Sequence, residues 1–477
     1  MASQLPLPQP KAVLRGHQAQ VHATAFVRNN QRLASGDAEG YVVLWDLTIV
    51  RPRAVWRAHT NAILGIASWG ADKIITHGRD NQLVIWKLAE EDEASLSATL
   101  PLDPSPAPRP QPWILYILPV NTMNFCSFGS CPADADGKAE ELLIAVPNTL
   151  ASESVGDDHV PFVNAKQSAL TPLQVDIYHF PSQKRLHTVV SSPKGEKTGM
   201  VMSLVLCRAK GDDSSLTLVT GYENGLAMVT QQSPDGSWDV SYRSQAHGQP
   251  VLSLDVSPSQ DFFYTSGADA NVVKHPIPQQ ALSTYSAPET PTTTTSPPPP
   301  PESHVPKPDP HEPAKQKPAS LLSAALASAP KQAPIPQKQT VEVRTQPAKV
   351  INTKHSGQQG LKVRSDGKIF ATAGWDSKIR VYSAKTMQEL AVLKWHQVGC
   401  YAIAFASLDI LPSTDVEKQS NGGANETGSD KSDATTKSVV PKLVDVTVKD
   451  RRVKQAKETH WLAAGSKDGK ISLWDIY

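Results

Sequence analysis

The feature that most constrains this chain is a recurring phrase: a small residue or glycine, an acid, then an alternating apolar run that ends on a bulky residue six positions after the acid. Glu39 precedes Trp45, Asp80 precedes Trp86, Glu223 precedes Val229, Asp269 precedes His275, Asp376 precedes Tyr382 and Asp468 precedes Trp474. The phrases read SGDAEGYVVLW, HGRDNQLVIW, TGYENGLAMV, SGADANVVKH, AGWDSKIRVY and GSKDGKISLW. A turn-forming break between two apolar runs suits a tight connection between antiparallel strands, and a carboxylate there accepts backbone N–H groups of the turn. Repetition once per unit marks these acids as structural parts and not as general acids or bases.

Around each acid the longer unit is also shared. Gly16-His17 opens VHATAFV, RLASGDAEG and YVVLWDL, and Ala58-His59 opens the equivalent run through Trp86. Three strand-like runs split by turn residues, repeating at about 40–45 residues, read as a propeller blade. His17, His59, His247 and His396 stand at blade entrances, and Trp45, Trp86 and Trp474 close third strands. With one His per blade, the histidines stand too far apart to share a metal ion.

Without its long polar stretches the chain retains on the order of 310–320 residues, which at about 45 per blade makes about seven blades. The fold expected is therefore all-β: a seven-bladed WD-repeat β-propeller. Blades one to five span 1–282, blade six and the start of blade seven span 346–410, and blade seven ends in 458–477. WILYILPVNTMNFCSF, from Trp113, is read as the start of the third blade. The last blade has no residues for a fourth strand, and the expectation is that residues 11–15 of the N-terminal KAVLRGH supply it, removing an exposed strand edge.

Two stretches interrupt the repeat. Residues 283–345 are rich in Pro, Thr, Ser and Lys and cannot bury enough apolar surface to fold, so a disordered linker is expected. It carries a PPPPP tract, Thr290-Pro291, Ser296-Pro297 and the pair Leu322 and Leu326 at helical spacing. Residues 411–457 form a second expected disordered insertion, ending in the basic run KDRRVKQAK, which is either a solvated surface or a nuclear-localisation or phosphate-contacting patch.

Composition narrows the function. The balance of 47 Lys+Arg against 46 Asp+Glu gives a net charge of +1, so no electrostatic footprint for nucleic acid or an anionic membrane is present. Cys126, Cys131, Cys207 and Cys400 are too scattered for a disulfide framework or a zinc site, which suggests a reducing compartment, cytosol or nucleus. Prolines break the N-terminal run where a secretory signal needs apolar residues, and WILYILPV is far shorter than a membrane span, so a soluble chain is expected. PKGEKTGM, the nearest approach to a phosphate loop, lacks the ending that loop needs. No enzyme, cofactor or metal is expected. Arg51, Arg53, Arg79, Tyr222 and Trp375 are candidates for exposed partner-binding positions on turns.

The phrases PKAVLRGHQAQVHA, RPRAVWRAHTNAILGI, IAVPNTLASES, LKWHQVGCYAIAF and HWLAAGSKDGKISLWDIY resemble the fungal ASTRA-associated WD-repeat proteins, relatives of the animal G-protein β-subunit-like protein. The resemblance implies a scaffold subunit of the ASTRA complex, acting in chromatin regulation and in maturation of phosphatidylinositol-3-kinase-like kinases. It implies telomere-length-regulation-type helical-repeat proteins and AAA+ ATPases as partners, with the nucleus, and also the cytoplasm, as location. The alternative, a substrate receptor of a ubiquitin ligase, is weakened because Trp-Asp continues as WDLT and WDIY without the arginine typical of such receptors.

Overall fold

The apolar runs pair into seven four-stranded antiparallel sheets in a computed structural model that describes residues 8–101, 109–121, 125–134, 140–148, 174–190, 198–209, 215–279, 343–408 and 447–476. The sheets lie in the unit Met1–Pro278 with Glu342–Tyr477; a second unit is Gln279–Val341. Six sheets use consecutive strands, as in blade one, where Val21–Val27, Arg32–Asp37, Tyr41–Asp46 and Arg51–Arg57 pair in order. The seventh joins Cys400–Phe405, Trp461–Ser466 and Ile471–Asp475 to Ala12–Leu14.

The continuous apolar runs follow from burial on both faces of each sheet. Successive side chains of a strand point to opposite faces, so a run such as YVVLW serves two neighbours at once. Val43 and Trp45 pack with Ile471 and Leu473 of blade seven, whereas Val42 and Leu44 pack with Ile63 and Val84 of blade two. Seven such apolar clusters occur among the described residues, one at each junction between consecutive blades, the seventh–first junction included. A ring of seven blades has seven junctions, so closure is itself part of the core.

The N-terminus closes the last blade as the sequence suggests. Ala12 pairs with Leu473, Val13 with Ser472 and Leu14 with Ile471, and Lys11 N donates to Leu473 O at 2.8 Å. Leu14 is buried in the junction cluster. In the hairpin before Ile471–Asp475 of the same sheet, Gly469 lies at φ +75°, where a Cβ would fall 2.2 Å from the His17 carbonyl oxygen. Both a left-handed backbone and close approach to blade one require glycine there.

The repeat phrase and the sheet are offset by one strand. Trp113–Pro119, read from sequence as opening blade three, is the outer strand of blade two and pairs with Gln82–Lys87. Blade three is built from Gly129–Pro132, Leu142–Asn148, Gln174–Phe180 and Lys184–Val190.

The expectation of disorder throughout 411–457 is corrected at its end, where Val448–Glu458 form an α-helix. The local reason is a capping box: the Thr447 hydroxyl accepts from Asp450 N, and the Asp450 carboxylate accepts from Thr447 N at 3.0 Å. Trp461 Nε1 donates to Ala456 O at 3.1 Å, and buried Asn30 donates to both Lys457 O and Ser407 O, tying the helix to blades seven and one. The basic run therefore lies on a helix, with Lys449, Arg451, Arg452 and Lys454 exposed. The PPPPP tract, Thr290-Pro291, Ser296-Pro297, Leu322 and Leu326 lie outside the described residues. No described helix is long and apolar enough to cross a membrane.

Candidate interaction surface and its supporting network

The turns that carry the repeated acids, together with the loops entering each blade, form one face of the ring. Their backbone is held from beneath by a relay of side chains that differs from blade to blade. In blade one, Trp45 Nε1 donates to Ser35 Oγ at 2.8 Å, Ser35 Oγ lies 2.8 Å from His17 Nε2, and His17 Nδ1 lies 2.7 Å from Asp37 Oδ2. The other Asp37 oxygen accepts from Glu39 N and Tyr41 N, both at 3.0 Å. Indole, hydroxyl, imidazole and carboxylate thus connect the third strand to the turn, and every polar atom in the relay has a partner.

Blade two repeats the relay with Trp86, Thr76, His59 and Asp80, at 2.9, 2.8 and 2.9 Å in that order. Blade five keeps His247, Asp269 and Thr265 and replaces the tryptophan with His275, whose second ring nitrogen lies 2.8 Å from the Tyr242 hydroxyl. In blade six a glutamine takes the histidine's place beside the hydroxyl: Thr372 donates to Gln358 Oε1 at 2.8 Å, and Asp376 turns to Arg380 at 2.6 Å, with the half-exposed His355 ring 3.6 Å from the same carboxylate. In blade seven His396 Nε2 and Trp474 Nε1 both meet Ser472 Oγ at 2.8 Å, while Asp468 pairs with Lys470.

Two of the six acids picked out by spacing do not hold the turn as expected. Glu39 occupies the position of Asp80, but it is exposed, and Asp37, two residues earlier and fully buried, makes the contacts. In blade four Asn224 accepts from Leu226 N at 3.0 Å, as Asp269 accepts from Asn271 N, whereas Glu223 reaches aside to Met200 N at 3.1 Å. The turn needs a side-chain oxygen placed to accept its backbone N–H, and an amide oxygen serves as well as a carboxylate. The hydroxyls Ser35, Thr76, Thr265, Thr372 and Ser472 were missed by the sequence reading. A Ser or Thr four residues before the turn position in four of these blades is the signal that would have found them.

Burial sets the electrostatics. It lowers the pKa of His59, against the charge of Asp80, and pushes His396 down to about 4. Burial alone would raise the Asp269 carboxyl, but the His247 hydrogen bond and charge bring it below the ordinary value. Asp376 is lowered in the same sense, with burial opposing and the Arg380 bond prevailing. Although His, acid and hydroxyl recur together, Ser35, Thr76 and Thr265 are fully buried, so none of these hydroxyls can meet a substrate. The relays hold a surface in shape.

Of the five candidates expected on turns, Arg51 and Arg53 lie instead on the outer strand of blade one, Arg51–Arg57. Tyr222 is fully buried in the junction between blades three and four, a correction of its expected exposure, because it ends a second strand and points into the ring. Arg53 pairs at 3.0 Å with Glu93, a buried carboxylate that also binds Arg28 and Arg32 and anchors the segment after blade two's third strand against blade one. Arg79 lies 4.4 Å over the Phe125 ring. Arg51 is exposed and lines a shallow cleft of about 570 Å³ with Arg15 and Leu100. Trp375 is 47% exposed at the tip of the blade-six hairpin.

Comparison with known proteins covers the same span as the ring. A family described as ASTRA-associated protein 1 matches residues 10–474, from the closing strand to the final tryptophan. An ASTRA-associated protein 1 of Pyricularia oryzae is 50% identical over 499 residues, covering 98% of this chain and 97% of the relative. One of Verticillium alfalfae is 50% identical over 98% of this chain and 93% of its own length. One of Schizosaccharomyces pombe is 30% identical over 84% of this chain and 94% of the relative.

Proposed function

The chain belongs to the ASTRA-associated protein 1 family, and from that membership we propose that it is a non-catalytic scaffold subunit of the ASTRA complex. The observation that carries this reading is the extent of the match, which takes in every blade and the closing strand, so the likeness concerns the whole ring and not one repeat. A scaffold needs surfaces fixed in shape. The buried relays spend the chain's repeated His, acid and hydroxyl groups on holding turns, which leaves the turn tips for partners.

In this reading the partners are telomere-length-regulation-type helical-repeat proteins and AAA+ ATPases, and the subunit acts in the nucleus and also the cytoplasm. It contributes to chromatin regulation and to maturation of phosphatidylinositol-3-kinase-like kinases by holding client and maturation machinery together, with no bond made or broken by it. The test is depletion of the chain in its own cells with quantitation of those kinases. Their protein levels are expected to fall while their transcripts stay constant; unchanged kinase protein would overturn the maturation role.

A further inference from the structure

Among the described turn tips, one is built to hold an aromatic ring out of the ring's core. Trp375 occupies the position filled by small Ala38 in blade one and Ala268 in blade five, and it is 47% exposed. Its orientation is fixed: Nε1 donates to Gln359 Oε1 at 2.6 Å, and its backbone N donates to Gly357 O at 3.0 Å. The indole lies over Gly357, at φ +74°, where a Cβ would fall 2.1 Å from the ring. A glycine and a side-chain amide thus hold a large apolar surface facing solvent, which contributes little to the fold and suits a preorganised binding anchor.

The surroundings give the ring's neighbour a charge. Trp375 touches the loop entering blade seven, with its carbonyl oxygen 3.2 Å from the Cβ position of Gly399, and Lys467 N donates to Gly399 O at 2.9 Å. Val398, beside that glycine, is 37% exposed. Lys354, three residues before Gly357, and Lys394 and Lys467 are exposed and make no ion pair among the described residues. The two acids of the patch are already engaged, Asp376 by Arg380 and Asp468 by Lys470. An apolar anchor flanked by loops that carry exposed lysines outside any ion pair is complementary to an acidic segment bearing one apolar residue. Nucleic acid fits less well, because the second apolar group is aliphatic Val398 and not another stacking ring, and the chain's net charge is only +1.

We propose that the blade-six and blade-seven sector of the hairpin face, centred on Trp375 and Val398, docks an acidic partner segment that inserts an apolar residue against the indole. This rests on the reading of the chain as an ASTRA subunit, because the segment is assigned to a neighbour in that assembly. The experiment co-expresses the full-length chain, tagged, with the helical-repeat and ATPase subunits, and compares wild type with Trp375→Ala, the double variant Lys354→Glu with Lys467→Glu, and the double variant Lys354→Arg with Lys467→Arg. The alanine and glutamate variants are expected to keep the wild-type melting temperature and lose recovery roughly tenfold or more, while the arginine variant keeps it. Full recovery with the alanine variant would overturn the docking site while leaving subunit membership intact; no recovery by wild type would remove both. Benzoylphenylalanine at position 375 then reads the occupant: a cross-link to an acidic segment supports the proposal, and a cross-link to a basic segment or to nucleic acid contradicts it.

Discussion

Ser472 stands directly across the strand pair from Ala464, and through that pairing the last blade recovers a hydroxyl that its second strand lacks. In blades one, two, five and six the hydroxyl comes from the second strand, as Ser35, Thr76, Thr265 and Thr372; in blade seven that position is Ala464. The oxygen reaches the same place from the neighbouring strand and meets both Trp474 Nε1 and His396 Nε2. Ser472→Ala leaves two buried ring nitrogens without this partner and is expected to cost about 1–3 kcal/mol in urea denaturation. Adding Ala464→Ser is expected to return at least part of the loss. A double variant no better than Ser472→Ala would show that the hydroxyl's position, and not its presence, is what matters.

Blade one distinguishes the acid that spacing selects from the acid that packing uses. Asp37→Ala removes the partner of buried His17 and the acceptor of two partly buried turn amides, with an expected loss of about 3 kcal/mol. Glu39→Ala, on the exposed side of the same turn, is expected to stay within about 0.5 kcal/mol of wild type. Equal losses in denaturant unfolding would contradict the assignment.

Deleting residues 1–15 removes the outer strand of blade seven and the burial of Leu14. The loss of that apolar burial and of the strand's hydrogen bonds is expected to lower stability by at least about 3 kcal/mol, and the uncovered edge of Ile471–Asp475 to promote association. Light scattering and denaturation of the truncated chain measure both. A monomeric truncation of unchanged stability would mean that the last blade does not need its fourth strand.

Stability is expected to fall on mild acidification. Burial pushes His77 down to about 3 and His396 to about 4, and lowers His275 well below the ordinary value. A folded ring that resists protonation loses ground once the unfolded chain takes up protons, so this stability is full above about pH 6.5 and is lost as the pH falls toward 4. Each such ring contributes a slope of about 1.4 kcal/mol per pH unit over that window. His77 is buried against Phe128, and neither ring nitrogen has a hydrogen-bond partner among the described residues. His77→Leu is therefore expected to flatten the acid limb of the stability curve; a curve parallel to wild type would contradict the role of that ring.

The blades were legible because each strand must satisfy two neighbours, which writes continuous apolar runs such as YVVLW and LVIW between turn residues. Closure by Ala12–Leu14 was legible for the same reason: one apolar strand was left over at one end where one was missing at the other. The turn acids were only partly legible. Spacing measures the distance along one strand, whereas the choice between Asp37 and Glu39, or Asn224 and Glu223, depends on which oxygen faces the turn amides and the histidine across the sheet. Tyr222 was misplaced for a related reason, since a residue one step from a turn tip points inward or outward according to where its strand ends. The Glu93 anchor, with its three arginines from blade one, joins residues about 40 to 65 positions apart and left no local pattern.

The central claim, a closed ring that serves as a scaffold within the ASTRA complex, is tested most directly by purifying the tagged full-length chain from native extract and quantifying stoichiometric partners by mass spectrometry. The expected result is one copy of the chain with helical-repeat subunits and AAA+ ATPases of that complex. Recovery of the chain alone, or with a cullin adaptor in their place, would contradict it.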